Sequence, residues 1–212
     1  MAKGEFARYV KADETTKQRI IGASFGEPGT GKTTFWLTAP GPIVIMSFDK
    51  GLEGVVEELT KTKDIYVDEY EWAPAAGVAL DQQEAVDLRE RFTENFEYAI
   101  QHARTVVLDK ETDVWGLFKF AEFGVAEKGA PMDWDSLKGR LRRLYNMPKA
   151  TSINFGIIQG MKNEWMPQVN KNTGKKSITQ TGQRIRNGMD DVEGLVHINI
   201  EHVREAVPNQ PS

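Results

Sequence analysis

Apolar positions in this chain come in short blocks. They fall at 20–25, 43–48, 105–108, 153–158 and 195–200, separated by stretches of helical spacing or helix-favouring composition at 32–38, 52–60, 82–102, 114–123 and 136–146. A run that is apolar throughout, with no polar face, suits a strand buried on both sides. Strands of that kind alternating with helices predict an α/β fold with a mainly parallel sheet flanked by helices. The pattern breaks down across 165–181, where Asn172-Thr173-Gly174 has the chemistry of a turn between two short extended pieces. A protruding hairpin or mobile loop is expected there, after the fourth core strand. No repeat or low-complexity tract appears, and 212 residues suit one domain. That domain is expected over 18–207, with an N-terminal segment 1–17 and a tail 208–212 that are partly disordered.

Composition narrows the function classes. With 40% hydrophobic and 27% charged residues the chain is an ordinary soluble type, and no apolar run approaches the ~20 residues of a membrane span. The first residues lack the apolar core of a secretory signal, so a cytoplasmic location is expected. The absence of cysteine excludes disulfides and thiolate chemistry. The scattered His102, His197 and His202 suggest no metal cluster, and the last two read as flanking or lining a strand. Residues 138–186 hold eleven Lys and Arg against one acid, Glu164, a net +10 inside a chain of net −4. One basic region on an anionic body predicts a polyanionic partner.

The most specific motif is Gly26-Glu27-Pro28-Gly29-Thr30-Gly31-Lys32-Thr33, which fits GxxxxGK[ST] directly after an expected strand and at the start of an expected helix, with Thr34 following. Its glycines let backbone N–H groups turn inward onto phosphates. Lys32 is expected at the β- and γ-phosphates of ATP, and the Thr33 hydroxyl on Mg²⁺, a hard cation that takes oxygen donors. Asp109, closing the apolar strand Thr105-Val106-Val107-Leu108, is the second metal ligand expected, because ligands sit at the carboxyl ends of strands in open α/β sheets. Hydrolysis also needs a group that orients water. Lys110 follows Asp109 where many P-loop ATPases have Glu, which leaves Asp49, at the end of the 43–48 run, and Glu111, which is expected to turn into the next helix. Asp49 is the preferred candidate, with a helix N-cap as its alternative role. Gln159 closes the 153–158 run, where an amide can sense the γ-phosphate.

Taken together, Gly26 to Thr33, Ser47-Phe48-Asp49-Lys50-Gly51-Leu52, Val106 to Asp109 and Ile157-Ile158-Gln159-Gly160-Met161-Lys162 resemble the RecA-core P-loop ATPases. More narrowly, the set is similar to the short phage nucleotide-binding proteins that include the Sak-type single-strand annealing group. The resemblance covers roughly residues 19–200. It implies a RecA-like core in which Asp49 falls on a water-activating Glu position, one methylene shorter than the family's residue. Gln159 falls on the position that couples nucleotide state to DNA, and the loop after it touches single-stranded DNA. It also implies a homo-oligomer, ring or filament, with a cation supplied by the neighbour. The DNA candidates are then Lys162, Trp165, Lys171, Lys175, Lys176, Arg184 and Arg186, cations for phosphates around an aromatic ring for bases. Lys138, Arg140, Arg142 and Arg143 lie on an expected helix, with 138 and 142 on one face and 140 and 143 on another.

The resulting expectation is an Mg²⁺-dependent ATPase that binds single-stranded DNA in recombination, annealing or replication. Two other readings stay open. A small-molecule or nucleotide kinase would use the 138–143 cluster as a lid, and a non-catalytic ATP-binding regulatory module would need no water-orienting group.

Overall fold

The computed structural model describes residues 19–48, 51–72, 81–124, 134–169 and 176–205. In chain order they form β1 (Ile21–Gly26), α1 (Lys32–Leu37), β2 (Ile43–Ser47), α2 (Glu53–Leu59), β3 (Ile65–Glu69), α3 (Gln82–His102), β4 (Thr105–Asp109), α4 (Glu111–Phe123), α5 (Trp134–Asn146), a 3₁₀ turn (Met147–Ala150), β5 (Asn154–Val169), β6 (Lys176–Asn187), α6 (Val192–Leu195) and β7 (Ile198–His202). The sheet order is β3-β2-β4-β5-β1-β7, with all of these neighbours parallel. β6 runs antiparallel to the outer part of β5.

Two cores explain the blocky apolar pattern. On one face of the sheet, Trp36, Leu37 and Leu52 pack with Ile43, Ile45, Val107 and Ile158. The other carries the larger core, in which Phe92, Phe96, Leu117, Leu141 and Tyr145 from three helices meet Ala23, Met46, Val106, Leu108 and Phe155. Val106, Val107 and Leu108 thus serve the two cores alternately, which is why β4 is apolar at every core position rather than every second one. Trp36 lies flat on β1 and β5 because Gly22 and Gly156 leave room for its ring. A Cβ at Gly156 would come within 2.4 Å of it, and the indole Nε1 donates to Ser24 Oγ at 2.9 Å. Asp81 caps the long helix α3, its carboxylate accepting from Gln83 N at 2.8 Å.

Several expectations need correction. β3 was not foreseen. It is a short edge strand whose Tyr66 and Val67 are exposed, so it lacks the apolar run of a buried strand. The last strand is Ile198–His202 rather than 195–200, because Leu195 closes the short helix α6 and packs with Val196 against the larger core. β5 does not stop at Ile158. It continues to Val169 and pairs with β6, with a register shift between Asn163 and Trp165, so the extended pieces of the 165–181 region are long strand arms. The hairpin is real, whereas its turn, with Asn172-Thr173-Gly174, lies outside the described residues. So do the segments 1–17 and 208–212. No helix among the described residues is long and apolar enough to cross a membrane.

Lys63 serves the fold directly. Its ammonium donates to three carbonyls at the end of α1: Leu37 O at 3.1 Å, Thr38 O, and Ala39 O at 3.0 Å. A cation there complements the negative end of the helix. Lys63→Met keeps the apolar stem and removes these bonds. It is expected to lower unfolding free energy by about 1–2 kcal/mol in a urea titration. An unchanged midpoint would show that the ammonium contributes nothing.

Candidate functional site

Register brings the chemistry to one edge of the sheet. Ser47 pairs with Asp109, Phe25 with Gln159 and Gly26 with His202, so the carboxyl ends of β2, β4, β1 and β7 and the end of β5's core portion form a single rim. The loop from Gly26 to Thr33 leaves this rim at β1. Gly29 and Gly31 take φ of 71° and 83°, a left-handed backbone that a side chain would strain, which is what the loop's reversal requires. Thr30 Oγ1 donates to Glu27 O at 2.9 Å and Lys32 Nζ to Gly26 O at 3.0 Å and Glu27 O at 2.8 Å, closing the loop upon itself. Burial lowers the Lys32 pKa, and the nearby carboxylates of Asp109 and Glu27 act against that shift. Thr34, on the first turn of α1, is exposed.

The Thr33 hydroxyl donates to Asp109 Oδ2 at 3.0 Å across 76 positions of sequence, and Asp109 is only 6% exposed. A hydroxyl and a carboxylate held at contact are hard oxygen donors in the arrangement that Mg²⁺ takes alongside phosphate oxygens, so these two residues fit the ion. Among the described residues no group of three or more His, Asp or Glu forms a metal cage. Two protein oxygens and a phosphate-bound ion do not need one.

Asp49 lies outside the described residues. Glu111, the other water-orienting candidate, begins α4 as expected, but it points inward. It is fully buried, accepting from Gln159 Nε2 at 2.9 Å, from Met189 N at 3.2 Å and from the Tyr145 hydroxyl at 3.4 Å. Burial pushes its pKa up to about 7, with the hydrogen bonds from Gln159, Met189 and Tyr145 opposing the rise. Burial and then the Glu111 charge raise the Tyr145 pKa. Gln159 is 2% exposed at the end of β5's core portion. Its Nε2 is committed to Glu111, while its Oε1 is buried with no hydrogen-bond partner. A cleft of about 470 Å³ opens beside it under the hairpin, lined in part by Phe25, Met161, Arg184, Arg186 and Glu193.

The DNA candidates divide into groups. Lys162 and Trp165 are exposed on β5, Trp165 at 58%. Trp165 pairs with Gln180 and Pro167 with Ile178, so Trp165 shares one hairpin face with Ile178, itself 72% exposed. Lys176 starts β6, whereas Lys171 and Lys175 lie outside the described residues. Arg184 and Arg186 instead engage the body. Arg184 pairs with Glu27 of the phosphate loop at 3.0 Å and also bonds Asn163 Oδ1 and Met161 O. Arg186 lies 3.7 Å over the Phe25 ring and donates to Asn199 Oδ1 at 2.6 Å. On α5, Arg140 pairs with Glu122 and Arg142 with Asp191.

Sequence reasoning missed the contribution of β7 and the residues just after it. Arg204 donates to Gly29 O at 2.8 Å. His202 meets Ser24 Oγ at 3.1 Å and packs edge-on against Phe35, and its pKa is lowered, first by burial and then by Lys32. Only the spacing from strand end to loop could have hinted at Arg204.

No family model matches the chain, and no curated protein matches it. Among solved structures it is similar to an ATPase from the type III secretion system of pathogenic bacteria, at 15% identity and a TM-score of 0.50 over 87% of this chain and 51% of that one. The chain thus spans about half the length of that ATPase. It is also similar to a KaiC-like protein of Pyrococcus horikoshii OT3, with 11% identity, a TM-score of 0.40 and coverage of 80% and 82%. A third likeness is to the substrate- and cofactor-free aldehyde reductase YqhD of E. coli, with 12% identity, a TM-score of 0.34 and coverage of 88% and 43%. The fold is that of the RecA-like P-loop ATPases: a mainly parallel sheet with helices on both faces and the phosphate loop at the end of β1.

Proposed function

We propose that this chain binds ATP with Mg²⁺ at residues 26–34 and hydrolyses it, and that its hairpin engages single-stranded DNA in recombination, annealing or replication as part of a homo-oligomer. The observation that carries the nucleotide half is the Thr33 to Asp109 contact, which joins the phosphate loop to the strand-end carboxylate at the rim where the loop lysine also sits. In this reading Lys32 supplies positive charge to the β- and γ-phosphate oxygens as charge develops there. Thr33 and Asp109 hold the ion, which when bound neutralises phosphate charge. The enclosure of Glu111 favours Asp49 as the residue that orients water. Gln159 reports the γ-phosphate to the hairpin that grows from the same strand.

The DNA half is supported by the exposed Trp165 and Ile178 on one hairpin face and by Lys162, Lys171, Lys175 and Lys176 in the same segment. Aromatic stacking with flanking cations is the usual single-strand platform. The test is the ATPase rate with and without oligo-dT, together with the salt dependence of oligo-dT binding. Single-stranded DNA is expected to raise the rate. Neutralising Lys171, Lys175 and Lys176 should remove the stimulation and flatten the slope of log affinity against log salt by about 2. If DNA leaves the rate alone and the variant binds like wild type, the basic segment serves another partner. Tight ATP binding without turnover in either condition points to a regulatory module, and phosphate transfer to a nucleoside or other small acceptor points to a kinase.

A further inference from the structure

A carboxylate sealed in a protein interior costs desolvation energy that hydrogen bonds to its oxygens offset only in part, and an apolar residue of similar volume is often as stabilising there. Glu111 is such a group, and the reading of the chain as an ATPase has no role for it. Its contacts come from three separate parts of the fold: Gln159 from the end of β5's core portion, Tyr145 from α5 and the Met189 backbone from the chain just beyond the hairpin. The next residue, Thr112, donates its hydroxyl to Asn187 O at 2.6 Å, the last residue of β6. The first turn of α4 therefore grips the hairpin's exit at Asn187 and Met189, one residue after the rim position of Asp109 and Lys110.

The contact also dictates how Gln159 is oriented. A side-chain amide has one end that donates and one that accepts, and an ionised carboxylate only accepts. In the structure Gln159 presents its Nε2 to Glu111, so its Oε1 is turned away, and that oxygen is buried with no hydrogen-bond partner among the described residues. With a neutral amide in place of Glu111 either end of Gln159 would be accommodated, and the orientation would no longer be fixed.

We propose that Glu111 is a positioning residue. It holds the Gln159 amide in one orientation and ties it to the root of the hairpin, so that nucleotide at the phosphate loop and the hairpin respond as one unit. This rests on the proposed ATP binding throughout and on proposed hydrolysis for its turnover readout.

The experiment compares the full-length wild type, Glu111→Gln, Gln159→Ala and the double variant. Four quantities are measured: thermal midpoint, ATP affinity, kcat, and amide hydrogen exchange over residues 186–190 with and without ATP. Glu111→Gln keeps the shape and one acceptor oxygen while an NH₂ replaces the other, and it removes the buried charge, so its midpoint is expected close to that of wild type, with ATP affinity within about threefold. Its kcat is expected to fall ~10- to 100-fold, the scale of a misplaced catalytic group. Gln159→Ala should lower kcat similarly, and the double variant no further, because both act through one group. ATP should slow exchange over 186–190 in wild type and not in Glu111→Gln.

A kcat that is unchanged in Glu111→Gln, one that falls only as folded protein is lost, or two effects that multiply in the double variant would each overturn the proposal while leaving the ATPase reading intact. If the wild type shows no turnover, the ATPase reading fails by itself, and the exchange data decide. ATP-dependent protection lost in Glu111→Gln upholds the joint, and no ATP effect at 186–190 in wild type overturns it.

Discussion

Lys32→Ala is expected to lower kcat by ~10²–10³-fold and to weaken ATP binding by a comparable factor, with the fold intact. Among the described residues the Lys32 ammonium bonds to Gly26 O and Glu27 O, both in its own loop, and it belongs to neither core, so truncation leaves neither short of packing. What is lost is the cation at the centre of the phosphate loop. The proximity of Asp109 and Glu27 makes that loss larger, since without Lys32 two carboxylates face any incoming phosphate with less positive charge to offset them. Circular dichroism and thermal melting matching wild type, together with lost nucleotide binding in an equilibrium titration, would be the full expected result. A variant that still bound and turned over ATP as wild type does would dismiss this loop as the site.

Gly188→Ala is expected to destabilise the protein by about 3–5 kcal/mol, at the upper end for a change of one methyl group. Two separate penalties meet there. The backbone stands at φ 146°, a region that side chains rarely adopt, and an added Cβ would lie 2.1 Å from Glu111 Oε2 and 2.6 Å from Gln159 Nε2. Neither neighbour can move freely, because each holds the other and Glu111 is also held by Met189 and Tyr145. Urea unfolding measures the loss directly. A shift under about 1 kcal/mol would mean that the segment after β6 can give way, and that Gly188 is not a close-packed joint.

How much of this was legible in sequence depended on how local the cause was. The phosphate loop could be read from eight consecutive residues because its geometry is set by its own glycines and its own lysine. Asp109 could be read because an apolar run that stops at an acid in an α/β pattern places that acid on the rim. β2, β4 and the long helix α3 followed from apolar spacing, since burial on two faces or on one stripe leaves a periodic trace. β3 left none, being a half-exposed edge strand that ends in Asp68 and Glu69. Glu111 gave no sign of its surroundings, because they come from residues 34 to 78 positions away. Arg184 and Arg186 belong to a basic segment by composition, yet Glu27 and Phe25 on the loop and its strand claim them. Composition counts charges and does not say what each one faces.

The continuity of β5 has a mechanical consequence. From Gln159 to Val169 the same strand advances ten residues, an arm of at most about 33 Å at ~3.3 Å per residue, paired with β6 on both sides of a register shift between Asn163 and Trp165. Pivoted at its root, such an arm works as a lever. A tilt of about 3°, which moves atoms near Gln159 by a small fraction of an ångström, carries the far end through roughly 1.7 Å. The amplification comes from length alone and requires no rearrangement of the sheet, so a displacement too slight to disturb the packing around β1 and β4 would be felt by whatever rests on the outer half of the arm.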